Sequence, residues 1–311
     1  MKKNCLIIDD LHPSILEMME GIGYEVDYQP NITREELLQQ IGPFSGMLVR
    51  SKTLIDAEVL DCATNLKFIG RAGAGLDQID VDEVQKRGIT LFNAPEGNQD
   101  AVGEHAIGML LNLLNKMRVA DDQIRNFEWN REANRGYELS SQTVGIIGYG
   151  HMGKAFARRL SGFGCKILAY DKYKTGFGND FVEEVSLGQL KERTTVLSLH
   201  TPLTEETSRW VNGEFLRSFK SLKWFLNTAR GGIVPLADLC ELLELGILKG
   251  AALDVLENEK FDKIDASKGS DFERLISLPN VILTPHVAGW SYESHVKINQ
   301  ALVDKIGGFE G

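Results

Sequence analysis

The chain has 311 residues, of which 43% are hydrophobic and 25% charged, a composition typical of a globular protein large enough for two domains. Its 34 basic and 44 acidic residues give a net charge of −10, so we expect neither nucleic acid nor a membrane as partner. The four cysteines form no C-x-x-C pair, which predicts reduced thiols and no metal site. No apolar run reaches the ~18 residues of a membrane helix, and MKKNCLIIDD at the start is not a signal segment, so a cytoplasmic protein is expected.

The N-terminal third alternates between predicted strands and helices. The strands are CLIID (5–9), YEVDY (24–28), GMLVR (46–50), KFIGR (67–71) and ITLFN (89–93). The segment TREELLQQI (33–41) is one of the helices, and Thr33 and Glu36 are spaced as a capping box. Strands that alternate with short helices predict a parallel, doubly wound sheet.

The middle and C-terminal parts continue the alternation. A long helix is predicted over 100–118, and 126–141 has no clear period and is interpreted as a connection. Further predicted strands are KILAYD (166–171), TTVLSLH (194–200), KWFLNTA (223–229), GAALDV (250–255) and NVILTPH (280–286). An amphipathic helix is predicted over 291–309, and periodicity does not decide where it packs.

The segment TVGIIGYGHMG (143–153) combines a short apolar strand with Gly148, Gly150 and Gly153. The following segment, 154–164, predicts a helix that stops at Gly164. Its apolar face would consist of Ala155, Phe156, Leu160 and Phe163. Glycines at this spacing permit a tight turn, close approach of a pyrophosphate and close packing of helix on strand.

Asp171 ends the next predicted strand, 18 residues after Gly153 (171 − 153), near the roughly 20 typical of a ribose-binding carboxylate. A carboxylate there would accept hydrogen bonds from the ribose and repel a 2′-phosphate, so NAD is favoured over NADP, although Lys172 beside it points the other way. The alternative is an ordinary strand–helix–strand unit with a solvated Asp171. The predicted cofactor contacts here are Gly148, Tyr149, Gly150, His151, Met152, Gly153 and Asp171.

Three predicted strands end in reactive residues: Arg230, Asp254 with Glu259, and His286. Carboxyl ends of parallel strands are where open α/β sheets bind ligands, so these residues suggest one site. Taken singly, Arg230 could be a surface ion-pair partner, Glu259 a solvated acid and His286 a turn residue. His105 on the long helix is interpreted as a packing or interdomain-contact residue, whereas His12, His151 and His295 have no supporting context.

Eight motifs, in this order, resemble those of the D-isomer-specific 2-hydroxyacid dehydrogenases. They are VRSKT (49–53), GRAGAGLDQID (70–80), NAPEGNQDAVGEHAIGMLL (93–111), TVGIIGYGHMG (143–153), HTPLTEET (200–207), NTARGGIV (227–234), GAALDVLENE (250–259) and TPHVAGW (284–290). GRAGAGLDQID is most similar to the phosphoglycerate dehydrogenase branch. The resemblance covers nearly the whole chain.

The resemblance implies two doubly wound α/β domains with parallel sheets. A Rossmann NAD-binding domain (96–287) would be inserted in a flavodoxin-like substrate or lid domain formed by 1–95 and 288–311. It also implies a homodimer through the Rossmann domain, with the helix at 100–118 partly at the interface. Because the chain ends at Gly311, the C-terminal regulatory domain of longer members, and serine feedback through it, are not expected.

The resemblance further implies that Arg230, Glu259 and His286 are catalytic. Arg230 would bind the substrate's carboxylate and its carbonyl or hydroxyl oxygen, His286 would be the acid–base group, and Glu259 would hydrogen-bond the imidazole. Additional cofactor contacts are expected at His200, Thr201, Pro202, Thr228, Ala229 and Asp254. His200 could instead only cap its strand. The predicted substrate contacts are Arg50 and Arg71 for a phosphate, and the backbone N–H groups of Ala72, Gly73 and Ala74 for a carboxylate.

The expected substrate is a small anionic 2-hydroxy acid, best matched by D-3-phosphoglycerate in the first step of serine biosynthesis. The alternative is reduction of glyoxylate, hydroxypyruvate or another 2-keto acid. A hypothesis of another class is an NAD(H)-sensing corepressor or scaffold. Two residues depart from the family pattern: Lys260 stands where a proline often follows the catalytic glutamate, and Trp290 replaces a small residue after the catalytic histidine.

Overall fold

The computed structural model describes residues 3–259 and 270–309, and the chain divides into two compact units. Unit 1 comprises Met1–Gln99 together with Trp290–Gly311, and unit 2 comprises Asp100–Gly289. The domain changes predicted at 95/96 and 287/288 lie close to these positions. Each unit is built on a parallel sheet of its own.

Unit 1 begins with five strands that alternate with helices. The strands are β1 (Asn4–Ile7), β2 (Glu25–Tyr28), β3 (Gly46–Val49), β4 (Phe68–Arg71) and β5 (Thr90–Asn93). The helices between them are α1 (Ser14–Gly21), α2 (Arg34–Gln40), α3 (Ala57–Cys62) and α4 (Val81–Lys86). The strand order is β2-β1-β3-β4-β5 with every pair parallel, which confirms the predicted flavodoxin-like sheet.

Unit 2 carries a larger sheet of the Rossmann type. Its strands are β6 (Thr143–Ile147), β7 (Lys166–Tyr170), β8 (Glu183–Glu184), β9 (Val196–Leu199), β10 (Trp224–Asn227), β11 (Gly250–Leu253) and β12 (Val281–Leu283). The helices are α5 (Pro95–Asn115), which begins before the boundary, α6 (Met117–Arg125), α7 (His151–Leu160), α8 (Leu187–Arg193), α9 (Gly213–Arg217), α10 (Leu236–Glu244) and α11 (Asp271–Ser277). The order β12-β11-β10-β9-β6-β7-β8 contains the doubly wound arrangement of a dinucleotide-binding sheet.

The last helix, α12 (Tyr292–Gly307), belongs to unit 1. Side chains along the strands of this unit point alternately to two covered faces, so that Leu6 and Cys5 lie in different apolar clusters. The cluster with Cys5 also contains Ile298, Leu302 and other residues of α12. The C-terminal helix, whose packing partner periodicity did not decide, therefore packs on the sheet of unit 1.

Local signals in the sequence mark several helix ends correctly. Glu36 N donates to Thr33 Oγ1 and Thr33 N donates to Glu36 Oε2, so the predicted capping box is formed. Gly164 adopts a left-handed φ of 69° where the helical segment after α7 ends. Phe163, however, was wrongly predicted to lie on the buried face of α7. It is 37% exposed because the chain leaves α-helical geometry after Leu160 and makes a tighter 3₁₀ turn.

The predicted helix over 100–118 is also interrupted. Helix α5 ends at Asn115, Lys116 has a left-handed φ of 53°, and a separate helix, α6, begins at Met117. The predicted connection at 126–141 contains only a 3₁₀ turn at Leu139–Ser141. In the portions of the chain that the structure describes, no helix combines the length and apolarity needed to cross a bilayer.

Candidate active site

The three glycines of the loop after β6 have two different roles. Gly148 and Gly153 are required by the packing of the loop, whereas Gly150 leaves space for a ligand. A Cβ on Gly148 would lie 2.7 Å from the carbonyl oxygen of His200, and one on Gly153 would lie 2.1 Å from that of Gly148. Both positions therefore exclude any larger residue. Around Gly150, which caps α7, a Cβ would meet only Lys174 Nζ, at 3.9 Å. The protein's own packing does not require glycine there, whereas a ligand approaching the helix N-terminus would.

Asp171, directly after β7, is turned toward this loop. Its Oδ2 accepts a hydrogen bond from Tyr149 N (2.8 Å) and its Oδ1 accepts one from Tyr173 N (3.0 Å). The ammonium of Lys172 is paired with Glu206, so the cation that could favour a 2′-phosphate is already compensated. The carboxylate is thus fixed beside the loop in the position expected for a ribose partner.

Two threonine hydroxyls at the ends of neighbouring strands are buried without a hydrogen-bond partner among the described residues. They belong to Thr201 after β9 and Thr228 after β10. Buried polar groups are nearly always paired in native proteins, so these two hydroxyls indicate a polar ligand at this edge of the sheet. Both residues were predicted cofactor contacts.

His200 lies in a different environment from the one expected of a ligand contact. Its Nε2 is 2.9 Å from Ser198 Oγ, its ring packs on Phe156 and its Nδ1 is buried. This burial lowers the pKa of His200 to about 3, so the imidazole is neutral. Of this residue, we retain only the backbone as a candidate cofactor contact.

The remaining predicted cofactor residues divide into buried and accessible side chains. The Tyr149 ring is buried and stacked on Phe177 at 4.6 Å, so its backbone is the part that faces the loop. Ala229 is buried, and its N–H donates to Asn227 Oδ1. His151, Met152 and Pro202 are exposed or partly exposed.

Arg230 follows β10, one of three adjacent strands, β10, β11 and β12, whose ends carry the predicted catalytic residues. Its Nη1 donates to its neighbour's carbonyl, Ala229 O, at 2.7 Å. The next residue, Gly231, is required by packing, because a Cβ there would lie 1.8 Å from Leu256 O. The Arg230 loop is therefore pressed against the segment after β11 that leads to Glu259.

His286 and Glu259 form a direct pair. The Nδ1 atom of His286 lies 2.7 Å from Glu259 Oε2. His286 has a left-handed φ of 55°, an uncommon conformation for a residue with a side chain. Both side chains are partly open to solvent, at 46% and 40% exposure, so the imidazole can be reached by a substrate. A carboxylate on Nδ1 fixes the tautomer and leaves Nε2 as the atom that exchanges a proton.

Asp254 holds the backbone that carries His286. Its carboxylate accepts hydrogen bonds from Val287 N (2.9 Å), Ala288 N (2.8 Å) and Thr284 Oγ1 (2.5 Å). Its own carbonyl accepts from His286 N at 2.8 Å. The residue is 1% exposed, so its side chain is occupied by the protein. It was predicted to contact the cofactor, and the geometry gives it a positioning role instead.

In unit 1, the loop after β3 is anchored in a similar way. Asp9, at the end of β1, accepts hydrogen bonds from Arg50 N (2.6 Å) and Lys52 N (3.2 Å). The Arg50 guanidinium is stacked on Trp290, with Cζ 3.7 Å from the ring centroid. The predicted substrate residue Arg50 therefore has a fixed backbone and a fixed side-chain plane.

The loop after β4 carries the other predicted substrate residues. The N–H groups of Ala72 and Gly73 donate to Val49 O and Arg71 O, whereas Ala74 N donates to none of the described residues. Gly73 has φ of 137°, and a Cβ there would overlap Arg71 Nη1 at 1.7 Å. Of the three predicted donors, we retain Ala74 N as the one available to a ligand.

Comparison with known proteins identifies the family. Residues 107–288 match the sequence profile of the D-isomer specific 2-hydroxyacid dehydrogenase, NAD binding domain. The chain belongs to the D-isomer-specific 2-hydroxyacid dehydrogenases. NAD is accordingly the cofactor of unit 2.

Relatives of this chain differ in the substrates that their names give. It is 34% identical over 303 residues to "D-3-phosphoglycerate dehydrogenase" of Archaeoglobus fulgidus, covering 97% of this chain and 56% of the relative. It is 35% identical over 277 residues to "Hydroxypyruvate reductase" of Thermotoga maritima, covering 89% and 88%. Among solved structures, D-lactate dehydrogenase of Aquifex aeolicus complexed with NAD and lactic acid matches with TM-score 0.80 and 26% identity, covering 97% of this chain and 94% of that one. The chain thus spans little more than half the length of the phosphoglycerate enzyme.

The candidate NAD-binding site of unit 2 fits its cofactor in three respects. Gly150 leaves room at a helix N-terminus, and Asp171 is fixed where a ribose partner is expected. Thr201 and Thr228, which follow neighbouring strands, have buried hydroxyls without a partner among the described residues. In the described parts of the chain, no cluster of three His, Cys, Asp or Glu could hold a metal ion. Lys260, the departure noted beside Glu259, lies outside the described residues.

Sequence reasoning missed several residues that organise the candidate site. Asp9 and Thr284 were not singled out, and His105 was interpreted as packing, although its Nε2 lies 3.1 Å from Thr284 Oγ1. An acid directly after a buried strand, as in the IIDD segment at 7–10, was the available signal for Asp9. The role of Thr284 depends on β11 and β12 being neighbours, which no local pattern shows.

Proposed function

We propose that this protein catalyses NAD-dependent hydride transfer between C2 of a D-2-hydroxy acid and the nicotinamide. The observation that carries the proposal is the His286–Glu259 pair, with Nδ1 and Oε2 2.7 Å apart at the end of β12. The chemistry needs such a pair, because converting a hydroxyl to a carbonyl releases one proton for each hydride. NAD supplies the hydride acceptor, and the protein supplies alignment and proton transfer.

In this proposal, Nε2 of His286 removes the proton from the substrate hydroxyl. The carboxylate of Glu259 keeps the ring oriented and stabilises the imidazolium that forms. In the reverse direction, the same nitrogen protonates the carbonyl oxygen of a 2-keto acid. Asp254 holds the backbone of the His286 loop in its strained conformation through four hydrogen bonds to its carboxylate and carbonyl.

Arg230 is proposed to bind the substrate's carboxylate and to polarise its C2 oxygen. A guanidinium presents a planar fork of donors that matches a carboxylate and remains charged at all physiological pH values. Its loop is fixed against the segment that leads to Glu259 by the contact at Gly231. Ala74 N and the guanidiniums of Arg50 and Arg71 are the proposed substrate donors of unit 1.

The proposed substrate is D-3-phosphoglycerate, as in the first step of serine biosynthesis. The similarity to the Archaeoglobus enzyme and the two arginines at the ends of β3 and β4 support it. Reduction of hydroxypyruvate or glyoxylate is the second candidate, supported by the Thermotoga relative, whose length the chain nearly covers. An NAD(H)-sensing corepressor would need neither the histidine pair nor its anchored loop.

A homodimer through unit 2 is part of the proposal. Phe127 is fully exposed and Trp129 is 81% exposed, and both follow the half-exposed Met117 and Ile124 of α6. Exposed aromatic and aliphatic side chains grouped in this way are typical of an interface. Sedimentation of the Phe127→Glu, Trp129→Glu variant should show a monomer where the parent shows a dimer.

A cytoplasmic location is also proposed, because all four cysteines are free thiols and Cys5 and Cys240 are buried. Burial raises the pKa of the Cys240 thiol to about 11, which makes it unreactive.

The test of function is a steady-state assay of the purified protein with NAD, NADH and their phosphorylated counterparts. The panel of acids contains D-3-phosphoglycerate, D-glycerate, D-lactate, hydroxypyruvate and glyoxylate. Turnover of at least one acid with a preference for NAD is expected. Tight NADH binding without turnover of any acid would contradict the enzyme and support the sensor.

A further inference from the structure

Arg50 is a cation without a carboxylate partner in the described chain. Its backbone is fixed by Asp9, but with the described residues its side chain makes a single long hydrogen bond, from Nη1 to Asp10 O at 3.5 Å. The guanidinium is partly buried, and this burial lowers its pKa, although the negative charges of Asp9 and Asp10 act to raise it. A desolvated guanidinium whose donors are unused is arranged to bind an anion.

Trp290 determines which part of this guanidinium a ligand can reach. The indole covers one face of the Arg50 plane, with Cζ 3.7 Å from the ring centroid. Stacking leaves the edges of the guanidinium, which carry its N–H groups, free to donate. Trp290 also meets His295 edge-on, with ring centroids 4.9 Å apart. One aromatic residue thus orients both a guanidinium and an imidazole.

His295, on the first turns of α12, has an unsatisfied nitrogen. Its Nε2 is buried and makes no hydrogen bond to any residue that the structure describes. Burial lowers the pKa of His295, and the charges of Arg50 and His12 lower it further, while Asp10 opposes them. The imidazole is therefore neutral at pH 7 in the absence of another anion.

The acidic groups nearby already have partners. The Asp9 carboxylate accepts the two backbone N–H groups of the Arg50 loop, and Asp10 Oδ1 accepts from Tyr28 OH at 3.1 Å. His12 Nδ1 is occupied by Ser14, whose Oγ lies 3.0 Å away. Arg50 and His295 are left as the donors for a ligand.

We infer that Arg50, Trp290 and His295 form a subsite for a phosphate monoester dianion, and that His295 takes up a proton when the dianion binds. The inference rests on the proposed function, which it extends by assigning Trp290 and His295 as specificity residues for a substrate with a second, doubly charged end. A single carboxylate would balance Arg50 alone. Two negative charges balance both Arg50 and an imidazolium beside it, which makes protonation of His295 favourable.

The pH dependence has a defined sign. The pKa of His295 is below its usual value in the free protein and is raised by the bound dianion, so binding consumes a proton and tightens as pH falls from 8. The trend ends near pH 6, because the second ionisation of a phosphate monoester lies at about pH 6 and the ligand itself then becomes a monoanion.

The experiment is calorimetric titration of the full chain with D-3-phosphoglycerate, with inorganic phosphate and with D-glycerate. Each titration is run at pH 7.5 in two buffers of different ionisation enthalpy, which gives the number of protons taken up. We expect the phosphoglycerate to bind at least about tenfold more tightly than D-glycerate, as one charge-assisted hydrogen bond allows, with net proton uptake. His295→Gln should abolish the uptake, since glutamine donates but does not titrate.

Two further variants separate the roles. Trp290→Leu removes the aromatic platform and should weaken phosphoglycerate binding more than D-glycerate binding. His12→Gln is the matched control, a neighbouring imidazole already engaged by Ser14, and should retain the proton uptake. The subsite is refuted if the wild-type protein binds phosphoglycerate and D-glycerate equally, or if His295→Gln still takes up the proton.

Failure of the subsite and failure of the proposed function give different results. Turnover of hydroxypyruvate or glyoxylate without any preference for phosphorylated acids would remove the subsite and keep the dehydrogenase. Proton-coupled phosphate binding without turnover of any acid would keep the subsite and remove the dehydrogenase.

Discussion

In both units a buried aspartate anchors the loop that carries a reactive side chain, but the two side chains differ in how they are paired. In each, a buried aspartate at the end of one strand accepts two backbone N–H groups from the loop after the neighbouring strand. Asp254 does so for the His286 loop and Asp9 for the Arg50 loop. His286 is then paired with a carboxylate of its own unit, whereas Arg50 is paired with none among the described residues.

The difference fits the separate tasks proposed for the two loops. A histidine that must exchange protons needs a fixed tautomer, and Glu259 provides it within the protein. An arginine that must recognise an anion needs unused donors, and any internal carboxylate would compete with the ligand. We therefore predict that a substitution of Asp254, which anchors the His286 loop, lowers kcat, whereas a substitution of Asp9, which anchors the Arg50 loop, raises KM.

Asp254→Asn should have the larger effect of the two anchor substitutions. The amide NH₂ would face one of the N–H groups that the carboxylate now accepts, and the His286 loop would shift. We expect kcat to fall by about 10²-fold, as for a small misplacement of a catalytic group. The free energy of unfolding should drop by about 1–3 kcal/mol, the usual effect of one lost buried hydrogen bond. Stopped-flow turnover and denaturant titration measure the two quantities.

Asp9→Asn is the matched substitution in unit 1. It should raise KM for the anionic substrate by roughly tenfold, the equivalent of one hydrogen bond, and leave kcat within a factor of about two. Steady-state kinetics on the acid identified by the substrate panel give both parameters. If the two variants reduced kcat to the same extent, the division of tasks between the anchors would be wrong.

The smallest expected effect on turnover is that of a histidine that takes no part in either anchor, and its prediction concerns acid stability. Burial lowers the pKa of His200 to about 3 in the folded protein, against 6.5 for an ordinary histidine. Between these values, the unfolded chain binds a proton that the folded chain does not, so stability falls as pH falls from 6.5 toward 3. Denaturant titrations of wild type and His200→Gln at several pH values isolate this contribution.

The difference in the free energy of unfolding between wild type and His200→Gln should change by at most about 1.4 kcal/mol per pH unit, the value for one proton. The variant, which can keep a hydrogen bond to Ser198, should show the flatter dependence. Parallel curves for both proteins would mean that His200 is not the buried group that senses acid.

Much of this architecture could be predicted from local patterns. Short apolar runs identified every strand of both sheets except the two-residue β8, and Thr33 with Glu36 predicted a helix start, because both signals act between residues close in sequence. The family motifs then supplied the expected topology. The break at Lys116 could not be predicted, since helix-forming residues continue across it and the bend depends on packing.

The anchors of the site could not be predicted for a related reason. Asp9 reaches the Arg50 loop only because β1 lies beside β3, and Asp254 reaches the His286 loop because β11 lies beside β12. Likewise, the sequence marked Trp290 as unusual but did not show that its ring covers Arg50. Such contacts depend on strand order and on side-chain direction, which are tertiary properties.

The central claim, that His286 is the proton-transfer group of a dehydrogenase, is tested most directly by single-turnover hydride transfer. His286→Asn, with NADH and the preferred 2-keto acid both saturating, should react about 10²–10⁴-fold more slowly than wild type, the range for loss of a general acid. NADH affinity, measured by fluorescence on the same samples, should be unchanged. A hydride-transfer rate within a few-fold of wild type would contradict the account.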